Sequence, residues 1–181
     1  MKRFLVAGVA LLAACSAHPV NDNTAAIEAR SSAPARSEAD VAALQGLTRI
    51  LIDASALYGA AAEQAQDETY ARQLSGLSDA RQSMTNLFQA RVARLGGDPA
   101  ESGQALGTAH RMFMDARMLG DDDTKVAVQE ALRGENYLVD QMNEAKDNVA
   151  LTDETRAFID AQLPRVIADR DRLSAYAESL A

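Results

Sequence analysis

Residues 126–149 read VAVQEALRGENYLVDQMNEAKDNV. Val128, Ala131, Glu135, Leu138, Met142, Ala145 and Val149 recur at alternating steps of three and four. On a helix these positions form one continuous stripe. Six of the seven are apolar, and the seventh is a carboxylate. Gly134 stands beside it, where a neighbouring helix can approach closely. A helix striped in this way needs partners, and three more amphipathic segments supply them.

The first segment runs from about Glu38 to Asp67. Its stripe is Val41, Leu44, Thr48, Leu51, Ser55, Tyr58, Ala62 and Ala65, with Ser37 and Asp40 as a start signal. The second runs from about Glu68 to Leu95, where Leu74, Leu77, Met84 and Phe88 share a face with Arg81 and Arg91. Gly96-Gly97-Asp98-Pro99 ends it. The fourth follows Thr152 and carries Ile159, Gln162, Val166, Asp169, Leu173, Tyr176 and Leu180. Pro164 lies inside it, so a kink or break is expected there. Asp121 to Asp123 suit the positive end of the third helix.

The joins between the first and second helices and between the third and fourth are short. The connection between the second and third is long and has a helical pattern of its own, about Gln104 to Leu119, with Leu106, His110 and Phe113 on one side. This arrangement predicts an all-α, ferritin-like four-helix bundle with a long crossover containing a short helix. No period-two run of useful length competes with it.

The N-terminal residues have a different character. Residues 1–14, MKRFLVAGVALLAA, have a basic start and a short apolar stretch, the pattern of a secretory signal peptide. Leu12-Ala13-Ala14-Cys15 resembles the lipobox of bacterial lipoproteins. That resemblance implies cleavage before Cys15 and its acylation, with palmitate-type chains holding the protein to a membrane. Cys15 is the single cysteine of the chain; the alternative is an ordinary leader in which it is incidental. Several acyl chains anchor a protein stably, where one is marginal. Ser16, in place of Asp, points by resemblance to the outer membrane. Residues 15–37 carry Pro19, Pro34, serines and scattered charges, and are expected to be a disordered tether that ends where the bundle, 38–181, begins. His18 falls in it as a solvated histidine.

The 181 residues carry a formal charge of -8. Without Lys2 and Arg3, 16 basic residues face 26 acidic ones. That balance argues against nucleic acid as a partner, because phosphate binding needs a basic footprint. It also argues against electrostatic docking on anionic lipid.

The order of several short pieces resembles a bacterial family of domain-of-unknown-function proteins, four-helix bundles grouped with the ferritin-like proteins. The pieces are Leu44, Leu47, Asp53, Tyr58 and Ala61-Ala62-Glu63; Leu77, Arg81 and Leu87; Leu95 to Pro99, Ser102-Gly103, His110-Arg111 and Met114; then Glu130 and Arg133-Gly134-Glu135. The resemblance implies a fold and no established activity. Ala80 and Leu132 stand where the family often has carboxylates, and Phe113 where it usually has tryptophan. The first two departures weaken an inherited metal site.

A di-metal site in such a bundle takes a Glu from each of two helices and a Glu-x-x-His from each of the other two. No Glu-x-x-His occurs here, and His110 is the only histidine outside the tether. Glu135, Asp169 and His110 are therefore weak candidates for iron or manganese. A histidine on an apolar face is more often packed than ligating. Met112, Met114 and Met118 read as packing residues of the short helix rather than a soft-metal site. The preferred reading is a buried polar layer of Arg81, Glu135, Gln162 and Asp169, with Arg81 satisfying Glu135. Tyr58, Tyr137 and Tyr176 are expected at the bundle edge. A small-molecule binder ranks lowest, because alanine-rich stripes favour close packing. The resulting expectation is a lipid-anchored envelope protein, non-enzymatic, with an envelope protein as partner. A degenerate metal-binding or redox bundle is the alternative.

Overall fold

The computed structural model describes the backbone of residues 23–104 and 123–180, and side chains from Glu38 to Gln104 and from Thr124 to Leu180. Four helices account for most of it: α1 Asn23–Gln64, α2 Glu68–Arg94, α3 Asp123–Asp147 and α4 Asp153–Ser179. Among the described residues there is no strand, and the molecule is an all-α four-helix bundle. None of these helices is long and apolar enough to cross a membrane.

The ends of the helices fix their directions. At one end, Asp40 of α1 accepts from the Thr152 backbone N–H (2.9 Å) and hydroxyl (2.6 Å), just before α4. Arg91, near the end of α2, pairs there with Glu154 at 2.8 Å. At the other end, the Thr124 hydroxyl of α3 accepts from the N–H groups of Gln66 (3.1 Å) and Asp67 (3.3 Å) in the α1–α2 turn. The Tyr70 and Ser179 hydroxyls meet at 2.9 Å at the same end. Thus α1 and α4 run one way, and α2 and α3 the other. A ferritin-like order of helices requires these directions.

Capping residues set the joins. Asp67 accepts from Thr69 N–H (2.7 Å) and Tyr70 N–H (3.2 Å), supplying partners for two donors that α2 leaves open. Thr152 caps α4 by accepting from Thr155 N–H. Asp40 is 1% exposed and holds the capping residue itself. Instead of starting α1, as the sequence suggests, it lies inside that helix and locks the α3–α4 turn.

After α2 the chain turns at Gly96, whose φ of +79° favours glycine. Residues 97–104 then climb back along α1. Gln45 donates to the Asp98 carbonyl and accepts from Ala100 N–H (2.7 Å), and Asp53 accepts from Gln104 N–H (2.8 Å). A side chain at Gly103 would collide with the Asp53 carboxylate. The short helix expected over about Gln104 to Leu119 lies, beyond Gln104, outside the described residues, as do Cys15 and His110.

Three expectations need correction. Helix α1 begins at Asn23, within the stretch expected to be a disordered tether. Ala25, Ala26, Glu28, Ala29 and Arg30 are good helix formers, and Pro34 does not end the helix. Among the described side chains, packing into the bundle begins at Ala39 and Asp40. Helix α4 runs unbroken through Pro164. Pro164 and Asp160, whose carbonyl loses its helical partner, are both exposed, so water replaces that bond. Val149 lies beyond α3 and is 81% exposed, because the helix stops at Asp147.

The core is divided along its length. One cluster is built of large side chains, among them Leu44, Leu51, Phe88, Met142 and Ile159. The other is rich in small ones, with Ala54, Ala61, Ala127 and Ala131 around Leu74 and Leu173. Replacing Asp40 with Ala strands the Thr152 donors at the first end. It should lower stability by about 1–3 kcal/mol in urea unfolding, with the helix content unchanged.

Candidate functional site

Polar side chains separate the two clusters. Along α2 the boundary falls between Leu77 and Met84, along α3 between Ala131 and Leu138, and along α4 between Val166 and Leu173. Each interval holds one buried charge: Arg81, Glu135 and Asp169. All three are buried, Arg81 and Glu135 fully. Helical periodicity brings them to one level, since each lies three or four residues from an apolar position on either side.

Arg81 is the centre. Its Nε and Nη2 donate to the two Glu135 oxygens at 2.8 Å and 2.5 Å. Its Nη1 lies 2.9 Å from Asp169 Oδ2. The planar guanidinium therefore engages α3 with one edge and α4 with the other. The other Asp169 oxygen accepts from Arg172, one turn on and largely exposed. Two cations and two anions leave the layer neutral. Burial disfavours the Arg81 charge, but the Glu135 hydrogen bonds and both carboxylates outweigh it, and the pKa is raised.

Tyr58 completes the layer from α1. It is fully buried, its hydroxyl facing Glu135. Burial, and next the Glu135 charge, push its pKa well above the usual value. Gly134 makes room for it: a Cβ there would stand 2.9 Å from the Tyr58 hydroxyl and 3.3 Å from its ring. The close approach expected beside Gly134 is made by this side chain. The expected place of Tyr58 at the bundle edge is thus corrected to the core, and its position on the α1 stripe, one turn after Ser55, is the signal in the sequence. Tyr137 is half-exposed, and Tyr176 stacks edge-on against Tyr70 at 5.5 Å.

The layer thus joins Arg81, Glu135 and Asp169 and leaves out Gln162. That residue is only half-buried, and Leu163 occupies the core position instead. From Ile159 the stripe can step three or four residues, and the helix puts the apolar side chain inside. Glu135 and Asp169 share the Arg81 cation, which opposes metal binding between them. Among the described residues no three His, Cys, Asp or Glu side chains converge on one point. His110 lies outside those residues.

Beside the layer, α2 and α4 stand apart and leave a cleft of about 410 Å³. Gly76, Ala80 and Ala168 line it. These small residues lie off the apolar stripes, exposed or half-buried, while the stripe alanines Ala54, Ala61, Ala127 and Ala131 are packed in the core. Asp169 lines the same cleft, so the buried layer borders it.

A four-helix bundle with an internally neutralised charge layer is the class this architecture defines. Residues 39–148 match the model of a family described as a domain of unknown function (DUF2383), and the chain belongs to that family. The match covers α1 from Ala39 through the end of α3, including Tyr58, Arg81 and Glu135. No curated protein and no solved structure matches the chain significantly.

Raising the pH above about 10 ionises Tyr58 in the unfolded chain while the folded chain keeps its proton. The unfolded state then binds fewer protons, so stability falls with rising pH through that range. In Tyr58→Phe the alkaline loss should be shallower in urea unfolding at pH 9 to 11. An unchanged slope would mean that Tyr58 titrates normally.

Proposed function

We propose that this chain is a lipid-anchored protein of the bacterial cell envelope whose bundle serves as a non-enzymatic interaction or stress-related module. The observation that carries the anchor is Leu12-Ala13-Ala14-Cys15 at the end of a short apolar leader, with no other cysteine in the chain. Acyl chains on Cys15 hold the protein on the membrane, facing the periplasm. Ser16 favours the outer membrane, and the partner is an envelope protein.

The layer supports a structural role for the bundle interior. Arg81 is hydrogen-bonded to Glu135 and ion-paired with Asp169, and a general acid or base needs a group free to exchange protons with a substrate. The acidic balance of the chain disfavours nucleic acid. Together these features favour binding over catalysis.

Fractionation of cells producing Cys15→Ser tests the anchor. The wild-type chain is expected in the membrane fraction, and the variant in the soluble periplasmic or uncleaved precursor pool. A mature variant still retained by membranes contradicts the reading.

A further inference from the structure

The cleft between α2 and α4 has a chemical direction. At one end lies Arg165, exposed and in no ion pair among the described residues. Two turns further along α4 is Arg172. It gives Nη2 to Asp169 and Nε to the Ala168 carbonyl, and lines the cleft beside them. At the far end, which Tyr176 also lines, the Gln73 side-chain oxygen is buried without a hydrogen-bond partner among the described residues. Leu77 and Leu173 form an apolar stretch between the ends.

The free charge here is positive, although the whole chain carries -8. Both Asp169 oxygens are already engaged by arginines, so that carboxylate does not cancel Arg165. A cation would meet two guanidinium groups. An anion would gain charge-assisted hydrogen bonds from them. The orphaned Gln73 oxygen asks for a donor, and the apolar stretch for a hydrophobic body. Gln73 and Ala80 are seven residues apart on α2, about 10 Å along the axis. The volume of about 410 Å³ lies within the range of small-molecule sites.

We propose that this cleft binds an elongated amphiphilic carboxylate of di- or tripeptide size. Its carboxylate sits at Arg165, its apolar side chain on Leu77 and Leu173, and an N–H donates to the Gln73 oxygen. This site is independent of the membrane anchor and of any protein partner.

The test is titration of the full chain with the tripeptide Ala-Leu-Ala, in free-acid and C-terminally amidated forms, followed by backbone amide NMR and calorimetry. The free acid should shift the amides of residues 73–80 and 165–176 and bind more tightly than the amide. Arg165→Gln, at an exposed position, should weaken it about tenfold or more, because a hydrogen bond to a charged group is lost. Ala80→Leu should fill the cleft and abolish binding, with unchanged thermal unfolding. Absence of shifts at millimolar peptide, shifts mapping elsewhere, equal binding of the amidated form, or indifference to Arg165→Gln would each overturn the assignment.

Discussion

Arg81 offers a planar fork of donors to two carboxylates from two other helices, in a place closed to water. A guanidinium so placed has few acceptable positions. Shifting α3 by one turn would carry Glu135 about 5 Å away and leave a buried charge unpaired. Shifting α4 would do the same to Asp169. The pairing therefore sets the registers of α2, α3 and α4 together, and Tyr58 adds α1 through its contact with Glu135 and its fit over Gly134. Buried ion networks of this kind can add little net stability. Here the stronger consequence is the penalty on every other alignment.

The rest of the bundle is arranged around that level. Large aliphatic and aromatic side chains fill one half, and alanines with a few leucines fill the other. At the outer ends polar ties repeat the logic in milder form: Asp40 on Thr152, Thr124 on the α1–α2 turn, and Tyr70 on Ser179. Between α2 and α4 the small residues leave a cleft bordering the layer. The chemistry available to a ligand there comes from Arg165, Arg172 and Gln73, since Arg81, Glu135 and Asp169 are already committed to one another.

Helical spacing alone makes much of this arrangement legible in the amino-acid sequence. The stripe from Val128 to Met142 is buried as its spacing predicts, and Arg81, Glu135 and Asp169 meet because each interrupts such a stripe at one level. Periodicity fails where it is ambiguous. Gln162 and Leu163 both continue the α4 stripe, and hydrophobicity decides in favour of Leu163. Pro164 reads as a breaker because the sequence does not reveal that its face is exposed. Tyr58 is hard to place because its amphipathic ring suits an edge as well as a core. The reach of Asp40 to Thr152 spans most of the chain, and local pattern carries no trace of it. The cleft is equally hidden, since it is lined by Gly76, Ala80 and Ala168, which lie off the apolar stripes.

The claim that the layer is a mutually compensating set is tested most directly by urea unfolding of two variants. Arg81→Leu leaves Glu135 and Asp169 buried without their cation, and should lose about 3–5 kcal/mol. Arg81→Leu combined with Glu135→Leu and Asp169→Leu removes the uncompensated charge, and should recover most of that loss. A single variant as stable as the wild type, or a triple variant no better than the single one, would contradict the account.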